Sequence, residues 1–374
     1  MFNKYLALFS ISTSLILFSC GGISHDKKDD YPEGSEVAHF KEIELLTDSL
    51  ELISEIDIFS GSNIPVGQIV AMEEIGDNLY FAEFKQNLVH VVDKKTLKYK
   101  TTIGGPGPDQ LFRVFGLYAT EENNLLVGNA QGPYLLKSFS SNGDFLMNYS
   151  NNDPPFWFIS TDVNNSFISD SIAYVTKAIA DNGMKMIRYD LRGGSVTEID
   201  EIVPVVDLHA ELDSAALARV IPVMSVLKSN VNDSMFYVLP VNKYLINSYN
   251  MKGEKLSSID LRGIPQINRQ YTIIKKLLFN SYFYSAVIDD QDNIYFHFDE
   301  FEGVDINDSE AEIMAKVAGK TGKVNLVSVN LLDGSYRMFK TEFRPVMPLK
   351  IIDGKLWTFD PSTSTLVLYQ LPDN

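Results

Sequence analysis

The strongest constraint on the fold is a unit of four short apolar runs, separated by turn residues, that returns along the chain. It is clearest between Ile69 and Ile103. Ile69-Val70-Ala71-Met72 leads to a Gly76-Asp77-Asn78 turn and Leu79-Tyr80-Phe81-Ala82. A Lys85-Gln86-Asn87 turn then leads to Leu88-Val89-His90-Val91-Val92, and Lys94-Lys95-Thr96 to an outer run through Tyr99. Alternating apolar runs of this length have the period of half-buried strands. Four of them, up and down in about 35 residues, make one propeller blade.

The same order recurs. A turn residue followed by an apolar pair marks the second strand at Asn124-Leu125-Leu126, Asp170-Ser171-Ile172, Asp233-Ser234-Met235, Asn293-Ile294 and Gly354-Lys355-Leu356. Third strands end in hairpins such as Ser140-Ser141-Asn142-Gly143, Tyr249-Asn250-Met251-Lys252-Gly253 and Leu332-Asp333-Gly334, where Gly supplies the positive φ of a tight turn. The count predicts an all-β, six-bladed β-propeller with four-stranded blades and short helical insertions. Second strands are spaced by 46 and 47 residues at first and by about 60 later. The excess falls on three helical patterns: Asp213 to Val220, Asn268 to Tyr282, and a capping box at Ser309-Glu310-Ala311-Glu312 that Gly319 closes. The last unit, Val346 to Leu371, is one strand short. A strand pair within Phe40 to Phe59 is expected to close the ring against it, removing two exposed edges.

Ahead of the repeats, residues 1–19 carry one charge, Lys4, and an apolar run from Tyr5 to Phe18. At about 14 residues the run is shorter than the ~20 needed to span a bilayer and has the layout of a secretory signal peptide. It ends in Leu17-Phe18-Ser19-Cys20, which resembles the bacterial lipobox, and Cys20 is the only cysteine. The expectation is a lipid on Cys20, a polar tether over 20–38, and a propeller domain over 39–374. Membrane contact is then through the N-terminal lipid, as an outer-membrane lipoprotein facing the periplasm or the cell surface. Lys28-Asp29-Asp30 resembles short export signals for the surface but sits far from Cys20. The net charge of −17 becomes −18 when Lys4 leaves with the signal, which opposes phosphate backbones, so nucleic acid is not an expected partner.

Ile103-Gly104-Gly105-Pro106-Gly107-Pro108-Asp109-Gln110-Leu111, between the first two units, is similar to the Gly-Pro signature of the TolB-like six-bladed β-propeller lipoproteins. The lipobox, Asp77-Asn78-Leu79-Tyr80 and the overall length agree, while Leu111 stands where an aromatic residue is commoner. The resemblance implies the propeller fold and export, and little about a ligand.

Chemical motifs are sparse. Five scattered histidines contain no HExxH, and neither a Gly-x-Ser-x-Gly elbow nor a phosphate-binding Gly-Lys-Ser/Thr loop occurs. His90 and His297 read as structural. Glu73, Glu74, Asp162, Asn164 and Asp289 are the oxygen donors placed to hold a central calcium, but two inner strands offer no carboxylate, so no metal and no cofactor are expected. Asp289-Asp290-Gln291-Asp292-Asn293 reads as a polar hairpin. The ligand-binding candidates are Gly105, Gly107, Asp109, Gln110, Arg113 and Trp157: glycines that admit a ligand to the backbone, polar side chains beside them, and an aromatic face. The competing reading, which is the expectation, is that Gly and Pro set a sharp crossing and that Trp157 wedges between blades. The functional expectation is a non-catalytic binding or scaffold module for a protein or glycan partner at the cell envelope. The alternative is a propeller enzyme, a lactonase-like hydrolase or polysaccharide lyase, acting at the central channel.

Overall fold

A computed structural model describes residues 41–371 apart from 43–49, 58–66, 108, 113, 121, 130–133, 151–166, 180–182, 193–194, 205–223, 241–243, 278–285, 300–302, 319–323, 341–347 and 361–362. The signal peptide, Cys20, the tether, Arg113, Trp157, Asp162, Asn164 and the Asp213 to Val220 pattern lie outside the described residues. The described ones belong to one compact unit, Glu36–Asn374.

Five blades are built from consecutive antiparallel strands. They are β3 (Ile69–Ile75), β4 (Asn78–Glu83), β5 (Leu88–Asp93) and β6 (Tyr99–Ile103) in the first; β7 (Val114–Ala119), β8 (Leu125–Asn129), β9 (Tyr134–Phe139) and β10 (Phe145–Ser150) in the second. The third has β11 (Phe167–Ser169), β12 (Ile172–Ile179), β13 (Gly183–Asp190) and β14 (Val196–Pro204), and the fourth β15 (Met224–Lys228), β16 (Met235–Pro240), β17 (Leu245–Asn250) and β18 (Lys255–Asp260). The fifth has β19 (Ala286–Ile288), β20 (Asn293–Asp299), β21 (Val324–Asn330) and β22 (Ser335–Lys340). The sixth takes β23 (Pro348–Ile352), β24 (Lys355–Asp360) and β25 (Thr365–Gln370) from the end of the chain and β2 (Glu51–Ile56) from its beginning. The innermost strands β3, β7, β11, β15, β19 and β23 neighbour one another in that order, and β23 returns to β3. The ring of six blades is therefore closed.

Closure differs from expectation in one respect. The early strands do not act as a pair in the last blade: β2 alone supplies its outer strand, with Glu51 opposite Gln370. The two-residue β1 (Lys41–Glu42) instead runs parallel to β22, as a fifth strand on the edge of the fifth blade. Both placements cover an outer edge whose backbone groups would otherwise face solvent.

The strands are also more deeply buried than half-buried strands. In β4 every residue from Leu79 to Glu83 is buried, as are Val89 to Val92 of β5. Each middle strand packs on both faces because each sheet lies between two others. The core accordingly divides into six clusters, one per seam between blades, such as Leu126, Leu136, Ala173 and Ile187 between the second and third. Two seams carry the same polar latch. The Tyr80 hydroxyl donates to the carbonyl of Ser141 at 2.5 Å, and the Tyr174 hydroxyl to that of Met251 at 2.6 Å. Both tyrosines are third in their second strand, and both acceptors lie in the last hairpin of the next blade. Those hairpins turn on Gly143 (φ +89°) and Gly253 (φ +88°), and an added Cβ at Gly253 would lie 2.6 Å from Ile199.

Connectivity gives the ring two unlike faces. Turns between first and second strands and between third and fourth strands lie on one, the turn face. Connections between second and third strands, and crossings to the next blade, lie on the other, the crossing face.

Candidate functional site

The crossing face holds the sequence-predicted loop and both described helices. The loop leaves β6 at Ile103 and enters β7 at Val114. Gly104, Gly105 and Gly107 adopt φ of +95°, +135° and +138°, the region that favours glycine. A Cβ on Gly104 would lie 2.9 Å from Leu111 Cδ1 and 3.1 Å from the Asn87 carbonyl, because the chain crosses tightly over the β4–β5 turn. Gly105, by contrast, has open space where a Cβ would be.

The loop is fastened beyond its glycines. The Gln110 amide donates to the Gly107 carbonyl at 3.1 Å, closing a turn. Leu111 is buried in the seam between the first two blades, so an aliphatic side chain fills the site where the resemblance led one to expect an aromatic. The Phe112 amide donates to Asn129 Oδ1 at 3.0 Å. Asp109 is partly buried and Gln110 is exposed. Of the six ligand-binding candidates, the structure thus brings Gly105, Gly107, Asp109 and Gln110 together on one loop.

Two polar groups beneath this loop were not anticipated. Lys137 is buried in β9, its ammonium 5.6 Å from the centre of the Phe145 ring. Burial holds its pKa below the usual lysine range, with the Asp109 charge opposing that shift. Asn129 is 4 % exposed, and its Nδ2 has no hydrogen-bond partner among the described residues. Burying an amide donor without an acceptor is costly. The only sequence signal for either was a polar residue inside an otherwise apolar strand.

The helices stand over the fourth and fifth blades. Pro265–Leu277 occupies the crossing from β18 to β19 and begins three residues before the expected Asn268. Pro265 opens it, since proline lacks only an N–H that the first turn leaves unused. Glu310–Ala318 occupies the connection from β20 to β21, and its capping box is present: the Ser309 amide donates to Glu312 Oε2 at 2.9 Å and the Glu312 amide to Ser309 Oγ at 3.4 Å. Arg269 Nη2 donates to the Val304 carbonyl at 2.7 Å, joining the two insertions. Arg262, held by the buried Asp260 carboxylate, lies 5.1 Å from the Tyr271 ring centre, and Tyr271 meets Tyr244 edge-on at 5.4 Å. The cation–π contact thus fixes the Pro265–Leu277 helix to the fourth blade's last strand.

Among the described residues, the carboxylates considered as calcium donors, Glu73, Glu74 and Asp289, are engaged elsewhere. Glu73 on β3 pairs with Lys350 on β23, bridging the first and last blades at the point of closure. Glu74 is 2.6 Å from Lys94 Nζ, which also meets Asp353 of the sixth blade at 2.9 Å. Asp289 and Asp292 lie in the β19–β20 hairpin on the turn face, as a polar hairpin predicts, yet both are buried. Asp289 accepts from the Gln291 and Asn293 amides at 2.9 and 2.8 Å, and from Asn293 Nδ2 at 2.7 Å. Asp292 reaches into the fourth blade, accepting from the Asn230 amide at 2.7 Å, the Tyr237 hydroxyl at 2.9 Å and the Ser229 hydroxyl. Burial, with Asp292 beside it, pushes the Tyr237 pKa up to about 12. Among the described residues no three His, Cys, Asp or Glu side chains form a group that could hold a metal ion.

His90 is fully buried in β5, its ring 6.2 Å from that of Tyr99, in keeping with a structural role. Burial lowers its pKa to about 4. The side chain of His297 lies outside the described residues. No helix among the described residues is long and apolar enough to cross a membrane.

No protein-family model matches the chain, and no curated protein matches it in sequence. Solved structures match it in fold. A member of the DUF4221 family from Bacteroides vulgatus ATCC 8482 aligns over 87% of this chain and 98% of its own, at 15% identity and a TM-score of 0.57. A protein of Bacteroides fragilis NCTC 9343, provisionally described as exported, aligns over 88% and 98% at 8% identity and a TM-score of 0.54. At such identities the likeness is one of fold, and the chain is a six-bladed β-propeller.

Proposed function

We propose that the protein is a lipid-anchored member of the TolB-like propellers that binds a glycan or protein partner in the cell envelope, without catalysis, through its crossing face. The observation that carries the reading is the commitment of the carboxylates. Glu73 is tied across a seam to Lys350, and Glu74 shares Lys94 with Asp353 of the sixth blade, so the described glutamates that a hydrolase or lyase at the central channel would draw on serve to hold blades together. The crossing face, by contrast, offers the buried amide of Asn129 and the exposed Gln110 beside a loop whose own backbone is already fastened. Lipobox and signal peptide support anchoring through Cys20, and the outer membrane is its proposed location.

The test is incubation of the purified protein with glycan and protein fractions of the envelope, scoring retention and cleavage in one assay. The reading expects retention of one component unaltered, and at least tenfold weaker retention by Gln110→Ala or Asn129→Leu protein that remains folded. Release of shortened glycan or hydrolysed product would overturn it in favour of an enzyme.

A further inference from the structure

We infer that the polar site beneath the Gly-Pro loop takes a neutral sugar residue, read through its hydroxyls by Asn129, Lys137 and Asp109. The inference rests on the binding reading above and names the ligand class of that same site. Strand register brings the first two groups together. Lys137 lies opposite Val127 in the β8–β9 pair and Asn129 is two residues further along β8, so both face the seam between the first two blades as diagonal neighbours. Such neighbours stand ~7–8 Å apart, within reach of one small group. The loop crosses the same seam, with Leu111 buried in it and Asp109 two residues earlier.

The direction of Asn129 is fixed. Its Oδ1 accepts from the Phe112 amide at 3.0 Å, and an N–H must meet the oxygen, so the NH2 group is what remains. That Nδ2 is buried and has no partner among the described residues. A buried donor without an acceptor is costly, and a ligand oxygen would relieve it. Lys137, 3 % exposed, brings a second donor, and Asp109 an acceptor whose charge acts on it. The loop above is open at Gly105, where an added Cβ would meet nothing within 4 Å.

Charge decides what the site takes. Among the described residues Lys137 and Asp109 offset each other, and the adjoining β4–β5 turn adds one more of each sign, Glu83 and Lys85. A ligand carboxylate would meet Asp109 as a like charge, and an amine would meet Lys137. A hydroxyl meets neither penalty, because one oxygen donates to the carboxylate and accepts from the amide or ammonium. A peptide group holds its N–H and C=O on opposite sides of a planar trans unit, so it cannot serve donors and acceptors gathered on one side. A neutral sugar fits where these alternatives do not.

The experiment probes the purified full chain on an array. The array carries neutral oligomers of glucose, galactose and mannose, oligomers of the corresponding uronic acids, glucosamine oligomers and uncharged peptides. The expected result is retention of a neutral oligomer at least fivefold above its charged counterparts. Asp109→Asn leaves the Lys137 charge unopposed and should shift the neutral-to-uronate ratio at least tenfold toward uronates. Lys137→Met leaves Asp109 unopposed and should shift binding toward glucosamine oligomers, which keeps the test open if the first variant does not fold. A parent that prefers a charged oligomer, or unchanged ratios in the folded variants, overturns the charge argument. Retention of peptides alone, or of nothing on the array, overturns sugar as the ligand and spares the binding reading. Cleavage of an arrayed oligosaccharide overturns that reading as well.

Discussion

Asp292 offers the sharpest test of how the blades are joined. It is 1 % exposed, holds φ of +60°, and accepts from Ser229, Asn230 and Tyr237 of the fourth blade and, at 3.3 Å, from the Val231 amide. In Asp292→Ala the two backbone donors belong to exposed residues and can turn to water, but the Ser229 and Tyr237 hydroxyls are buried. Tyr237 also hydrogen-bonds Ser229, so the pair is left one acceptor short, at a cost of ~1–3 kcal/mol. Alanine at a left-handed φ adds ~1 kcal/mol, so a total of about 3 kcal/mol is expected. Asp292→Asn behaves differently. Asparagine tolerates that backbone conformation, its carbonyl still serves the amides, and the hydroxyls can rotate to accept from its nitrogen, for a cost of about 1–2 kcal/mol. With a urea m-value of ~3 kcal/mol/M, the alanine variant should lose about 1 M in its unfolding midpoint and the asparagine variant about 0.5 M. Urea titration followed by tryptophan fluorescence checks this. Equal shifts for the two, or an alanine cost below about 1.5 kcal/mol, would refute the argument that one carboxylate clasps two blades.

Two further outcomes follow from buried groups and backbone angles. His90 is neutral in the fold down to pH about 4, whereas the unfolded chain takes up a proton near its ordinary value of 6.5. Its contribution is fully present above pH 6.5 and is lost as pH falls toward 4, by about 3 kcal/mol. His90→Leu should therefore lose less stability between pH 7 and pH 4 than the parent, and identical pH dependence would count against the shift. Gly76 (φ +59°) and Gly104 (φ +95°) separate backbone strain from crowding, since a Cβ meets nothing within 4 Å at the first and Leu111 and Asn87 at the second. Gly76→Ala should cost ~1 kcal/mol and Gly104→Ala ~2–3 kcal/mol, read as a larger fall in Tm for the second; the reverse order would mean that the loop gives way.

The sequence by itself determined the blade count, the hairpins and the capping box, because each is written in a few adjacent residues. Asn250-Met251-Lys252-Gly253 specifies its turn through one glycine, and Ser309 with Glu312 specifies a helix start, wherever the segment lies. The extent of burial was less legible. Leu79 to Ala82 reads as a strand in any setting, and only the presence of a neighbouring sheet on each side explains why all four are buried. What the tertiary structure decided are contacts between segments far apart in the chain. Asp292 reads locally as a turn residue, and its role arises from donors about 60 positions away. Lys41–Glu42 carries too short a pattern to name a partner, so its parallel place beside β22 could come only from the closed ring.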